Sequence, residues 1–334
     1  MIQEHEIVLY QVEGTNICVN VVFKDETFWM TQKAMAELFD VNVPAISKHL
    51  SNIFEEGELF KEATVSKMEI VQMEGNRKVK REPEFYNLDA IIAVGYRVNS
   101  KKATRFRQWA TKTLKDYITK GFVLNDDMLK NGKPFGKDYF DELLERIREI
   151  RASERRAYQK ITDVFEQCSY DYDKNSDITK AFYAFVQNKL HFAVTGKTAA
   201  ELVYERVNAE KPAMGLTTWK DAPDGKILKR DISVAKNYLN EKELSRLNRL
   251  VTMFIDYAEL MAEDEVLMSM QDWVEQTNQF LRNNRREVLE GKGKVSHDMA
   301  MKKAEKEYEI FRVKQDQEYV SEFDREVERY LKGE

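Results

Sequence analysis

A chain of 334 residues exceeds the usual size of one domain, so two or three are expected, each burying a core without staples. Its two cysteines, Cys18 and Cys168, exclude a disulfide framework and a four-cysteine zinc site, no window approaches the roughly 20 apolar residues of a membrane span, and MIQEHEIVLYQ carries no basic leader. The expectation is an unexported cytoplasmic chain without a cofactor. The net charge of -5 is uneven: residues 97–115 carry seven Lys or Arg and no acid, whereas the last third alternates Glu with Lys. A polyanion site is therefore expected near the N-terminal part.

In chain order, two β-branched runs within residues 6–23 flank the turn-forming EGTN and predict a β-hairpin. Next, Thr31 is placed to cap a helix with an apolar face of Ala34, Met35, Leu38 and Phe39. Asp40, Val41 and Asn42 form a corner in which Asp40 tolerates the left-handed backbone, and Pro44 occupies the first turn of a second helix. Ile46, Leu50, Ile53 and Phe54 point that helix inward. Asn42, Ser47, Lys48, His49, Ser51 and Asn52 remain outside, short polar groups suited to base edges and phosphates.

A second hairpin is expected over residues 63–88, turning at Glu74, Gly75 and Asn76, with Arg77, Lys78, Lys80 and Arg81 at or just after its tip. These basic groups suit a wing against the DNA backbone. Asn87 and Asp89 start a further helix, and Ser100 caps another that ends at Gly121. In the latter, Phe106, Trp109 or Ala110, Leu114 and Tyr117 form the expected buried stripe. Lys101, Arg105, Lys112 and Lys115 fall on other faces as phosphate contacts, unless Arg97, Arg105 and Arg107 pair with the acids of residues 55–62. Helix, corner, polar helix and basic hairpin together describe a winged helix-turn-helix.

Residues 124–138 gather Asn, Asp, Gly and Pro without periodicity and predict the main boundary. The expected fold is mainly α: an α+β winged helix-turn-helix domain with β-hairpins over 1–124, a linker over 125–138, and an all-α domain of long amphipathic helices over 139–334. Helices are predicted across 139–167, across two blocks ending at Val207 and Ala262, around Trp273 and Phe280, and from 298 to Tyr330. Between the two blocks, residues 211–226 are irregular, with Trp219 either in a functional loop or plugging a gap between helices.

The chain resembles the RhuM virulence-associated protein family of bacteria. The resemblance rests on WMTQKAMAELF with ISKHLSNIFEEGEL, FYNLDAIIAVGYRVNSKKATRFRQWATKTLKDYITKGF, KLHFAVTGKTAAELVYERV, KPAMGLTTWK, DISVAKNYLNEKELSRLNRLVTMFIDYAELMA and VSHDMAMKKAEKEYEIFR. These motifs run through almost the whole chain. The resemblance implies a bacterial cytoplasmic protein, encoded near mobile elements or restriction-modification genes, whose N-terminal half binds DNA. Some relatives carry Fic-type domains, but no histidine here is followed by the Pro-Phe that a Fic motif needs.

The C-terminal half offers few chemical motifs. HFAVTGKT lacks the first glycine of a phosphate-binding loop, since His191 stands there, and Gly196 and Thr198 read as a helix stop and start. His191 and His297 are weak candidates for acid-base work, and no metal-ligand spacing accompanies them. Glu263, Asp264, Glu265, Asp272 and Glu275 read as solvated faces rather than a magnesium site. The leading expectation is a DNA-binding regulator or component of a mobile-element or defence locus, dimeric on duplex DNA and away from membranes. A metal-dependent nuclease or toxin-like effector with its site in the helical half, and an interaction scaffold without nucleic acid, remain the alternatives.

Overall fold

The computed structural model describes residues 4–12, 15–25, 27–74, 77–132, 137–173 and 175–318, with side chains omitted at 4–16, 18–20, 70–79, 154, 177, 178 and 180. The protein is mainly helical and divides into two compact units, 1–140 and 141–334. None of the described helices is long and apolar enough to cross a membrane.

In the first unit, β1 (Glu4–Val12) and β2 (Thr15–Lys24) form the expected N-terminal hairpin. Its turn at residues 13 and 14 lies outside the described residues. A strand that the sequence reading did not contain, β3 (Thr27–Met30), pairs with β2 and then with β7 (Glu84–Asn87), which in turn pairs with β4 (Val65–Lys67). The five-stranded sheet therefore runs β1-β2-β3-β7-β4. Successive strand residues face opposite sides. Val21, Met30 and Tyr86 thus join the helical core, while Val22, Trp29 and Phe85, one residue out of phase, form a second cluster with Met68.

Around this sheet lie α1 (Gln32–Phe39), α2 (Val43–Glu55), the one-turn α3 (Lys61–Thr64), α4 (Leu88–Arg97) and α5 (Lys101–Lys120). Phe39 and Phe106 meet edge-on at 5.6 Å between ring centroids, and Gly95 of α4 lets them approach. A Cβ at Gly95 would stand 2.7 Å from the Phe106 ring and 2.9 Å from the Phe39 ring.

The expected stripe along α5 is corrected. Ala103 and Phe106 are buried and Trp109 is half-buried, but Leu114 and Tyr117 are exposed. The described packing of α5 uses its first half, so the apolar spacing continues past the surface that could bury it. Within 124–138, read as irregular, α6 (Asp126–Asn131) is a short helix because the Asn125 carboxamide caps it, accepting from the Met128 N–H at 3.1 Å.

The second unit contains α7 (Phe140–Arg151), α8 (Glu154–Cys168), α9 (Asp177–Thr195), α10 (Ala199–Arg206), α11 (Glu241–Glu263), α12 (Met270–Asn283) and α13 (His297–Glu318). Its larger core joins α8, α9, α11 and α12 through Phe165, Phe182, Leu190, Leu247, Phe254 and Trp273. A second core gathers Val203, Met214, Ile227 and Tyr238 against Ala300, Ala304 and Tyr308, a fourfold-spaced stripe of α13. The irregular stretch is thereby packed: Trp219 is half-buried, donates through Nε1 to the Gly225 carbonyl at 2.7 Å, and lies against that core.

Residues 232–239 were expected to be helical and instead form short 3-10 turns. Their carbonyls are taken by tertiary donors: Arg206 Nη1 reaches Tyr238 O at 2.6 Å, and Thr217 Oγ1 reaches Leu239 O at 2.6 Å. α11 begins only where Asn240 and Glu243 form a reciprocal capping box. Of the last predicted helix, 298–330, the part beyond residue 318 lies outside the described residues.

Candidate nucleic-acid interface

The corner between α1 and α2 is built from local chemistry. Thr31 Oγ1 accepts from the Ala34 N–H at 3.2 Å and starts α1. Asp40 closes it in the left-handed conformation, φ 56° and ψ 53°, its N–H donating to the Ala36 carbonyl. Asn42 then caps α2, Oδ1 accepting from the Ala45 N–H at 2.9 Å, with Pro44 in the first turn where no N–H is needed. The last carbonyl of α1, at Phe39, also accepts from the Ser100 hydroxyl, which itself caps α5. The corner is therefore pinned to the basic helix as well.

Ile46, Leu50 and Ile53 are buried, leaving Ser47, Lys48 and Ser51 exposed on the opposite face of α2, with His49 and Asn52 half-buried beside them. Asn42 is exposed but its carboxamide oxygen is engaged as the cap. The predicted wing is a separate two-stranded ribbon of β5 (Ile70–Glu74) and β6 (Arg77–Arg81). Arg77 stands opposite Glu74, Lys78 opposite Met73, Lys80 opposite Val71 and Arg81 opposite Ile70. The tip residues 75 and 76, and the side chains of Arg77 and Lys78, lie outside the described residues. Lys80 and Arg81 are exposed, and Lys80 pairs with Glu69 at 2.8 Å, which raises its pKa through that hydrogen bond and charge.

The basic flank separates into two groups. Arg97 pairs with Glu56 at 2.7 Å and also with Glu58, and the Arg97 hydrogen bond holds the Glu56 carboxyl below its ordinary range. Arg107 spends its guanidinium on the carbonyls of Gly95 at 3.1 Å and Val98 at 2.8 Å, capping the end of α4. Lys102 donates to the Glu37 carbonyl at 3.2 Å. Lys101, Arg105 and Lys112 are exposed and make no ion pair within 4.0 Å among the described residues. Position within a basic run did not separate the two groups; the distinction depends on which arginine faces the end of α4 or the turn after α2. α2 and α5 both pack on α4, which holds their exposed faces within one unit.

In the helical unit, His297 is exposed at the start of α13, whereas His191 is 3 % exposed, with burial depressing its pKa to about 4. Among the suspected acids, Asp272 closes the capping box of α12 with Ser269, and Glu275 pairs with Arg282 at 3.2 Å. The described residues contain no cluster of His, Cys, Asp and Glu arranged to hold a metal ion. Two buried polar groups escaped sequence reading, because nothing local marks them. Lys189 donates to the Leu289 carbonyl at 2.7 Å, and Asp231 Oδ2 accepts from the Leu228 N–H at 2.8 Å.

A family model described as the virulence protein RhuM family matches residues 63–320. The match takes in the β5–β6 ribbon, α4, α5 and the described helical unit, and begins after α2. No curated protein matches the chain.

Proposed function

The chain belongs to the virulence protein RhuM family, and from that premise and the build of its first unit we propose that it is a DNA-binding protein. Residues 1–124 act as a winged helix-turn-helix domain, 125–138 as a linker, and 139–334 as a helical domain for dimerisation or a partner. α2 enters the major groove with Ser47, Lys48, His49 and Asn52, the β5–β6 ribbon is the wing, and Lys101, Arg105 and Lys112 meet phosphates. The observation that carries the reading is the left-handed Asp40 corner, which turns a helix with an exposed polar face away from a fully apolar inner side. The setting is cytoplasmic: transcriptional control, or a bacterial mobile-element or defence locus.

Fluorescence anisotropy with a labelled duplex tests this. Affinity should fall steeply with salt, log K against log salt having a slope of about -0.9 for each phosphate neutralised. Lys48→Ala with His49→Ala should weaken binding roughly tenfold, or about 1.4 kcal/mol. Binding that ignores salt, or a double variant equal to the parent, would defeat the proposal.

Where 139–334 serves a partner rather than the dimer, the exposed spacing on α5 offers the surface for a homodimer on a palindromic site. Leu114, Tyr117 and Ile118 are 56 %, 61 % and 78 % exposed on one face of the helix. Sedimentation equilibrium at micromolar concentration should give a dimer for the parent and a monomer for Leu114→Glu with Ile118→Glu. A monomeric parent would count against the dimer while leaving DNA binding to its own test.

A further inference from the structure

The helical unit carries a cleft of about 600 Å³ between the first half of α11 and the turn that follows α12, and none of its residues enters the DNA-binding reading. The chain as a whole is acidic, at -5, yet four side chains lining this cleft are cations, Lys242, Arg246, Arg249 and Arg286, against one acid, Glu241. Arg249 pairs with Glu145 of α7 at 3.0 Å. Lys242, Arg246 and Arg286 are exposed and make no ion pair within 4.0 Å among the described residues. Like charges gathered on one concave surface repel each other, and such a cleft concentrates anions.

Local hydrogen bonds fix the wall opposite α11. Asn284 turns the chain off α12, its N–H and its Nδ2 donating to the Phe280 carbonyl at 3.2 and 2.8 Å, and the Arg286 N–H donates to the Leu281 carbonyl at 2.9 Å. On α11, Lys242, Arg246 and Arg249 follow at spacings of four and three along one face, a run of about 10 Å. Met253, 41 % exposed, comes next on that face, with buried Leu250 beside it. Asp256 follows, paired with Arg151 at 2.6 Å. A nucleic-acid strand laid along α11 would thus pass from cations to a carboxylate. A compact polyanion with an uncharged part against Met253 matches the whole face. Clefts of this size, combining apolar wall with a few charged groups, suit small molecules.

We propose that this cleft binds a nucleoside polyphosphate, its phosphates on Lys242, Arg246 and Arg286 and its nucleoside on Met253 and Leu250. Arginine meets phosphate oxygens two at a time, and lysine adds a point charge. Isothermal titration of the full-length chain at low salt, with EDTA present, tests this with ATP, tripolyphosphate and adenosine as probes. ATP should bind at least about tenfold more tightly than adenosine, which lacks the phosphates, and more tightly than tripolyphosphate, which lacks the nucleoside. Lys242→Gln with Arg246→Gln should weaken ATP at least about tenfold, and Met253→Ser should bring ATP down to the affinity of tripolyphosphate. Circular dichroism shows whether each variant folds, and Arg286→Gln, on the opposite wall, replaces the double variant if that one does not. No binding of ATP, adenosine or tripolyphosphate binding as tightly as ATP, or parental ATP affinity in the folded cation variant would overturn the proposal.

Discussion

Trp273→Ala is expected to cost about 3–5 kcal/mol, the range for truncating a large buried aromatic side chain. Trp273 is fully buried at 0 % exposure, and its ring lies 4.9 Å from that of Phe165 between centroids. Its Nε1 donates to Ser169 Oγ at 2.9 Å, so the truncation removes a hydrogen bond as well as filling. The same neighbourhood joins the end of α8 to the segment before α12, through Met268 N–H on the Cys168 carbonyl at 3.0 Å and Tyr170 N–H on Met268 O at 3.3 Å. Hydrogen exchange of the α9 and α11 amides measures the loss where this core governs stability. A change below about 2 kcal/mol would mean that the cluster collapses around the missing ring, against the packing described.

The second large effect is acid sensitivity from His191. Its folded pKa of about 4 lies below the ordinary imidazole value because burial disfavours the charged ring, with the Lys236 charge acting in the same direction. The unfolded chain therefore binds a proton near pH 6.5 that the folded chain refuses until about pH 4. The stability contribution is fully present above pH 6.5 and is lost as the pH falls toward 4. The expected loss is about 3 kcal/mol in all, of which about 2 kcal/mol falls between pH 7 and pH 5. Urea unfolding followed by hydrogen exchange of the α9 and α11 amides, for the parent and for His191→Phe at both pH values, isolates it, since carboxylates contribute to both proteins. Parallel pH dependence in the two would show that His191 titrates normally.

Much of the first unit could be read from neighbouring residues. The caps at Thr31, Asn87 and Ser100 each use a side chain to accept the N–H three residues on, so the signal and the structure lie within a few residues, and Asn42, read as a groove contact, caps α2 by the same short-range bond. Asp40 and Gly121 take left-handed backbone at the ends of α1 and α5, and Thr198 with Glu201 forms a capping box at α10. The candidate interface was legible to the same extent: the alternation of buried Ile46, Leu50 and Ile53 with exposed Ser47, Lys48 and Ser51 follows from helical spacing alone.

Elsewhere the outcome depended on partners distant in the chain. β3 is four residues long and owes its place to pairing with β2 on one edge and β7 on the other. The spacing of Leu114 and Tyr117 matches that of Phe106, yet only Phe106 meets Phe39 and Tyr96. Residues 232–239 carry helical spacing and lose it to Arg206 and Thr217, whose donors satisfy the backbone carbonyls in another conformation. Local hydrogen bonds and periodicity thus settled where helices start, stop and turn their apolar sides, because those forces act within one turn. Which apolar side is covered, which arginine is consumed at a helix end, and whether His191 is buried were decided by tertiary packing. Burial and desolvation belong to the neighbours a residue acquires on folding, and these lie far away in sequence.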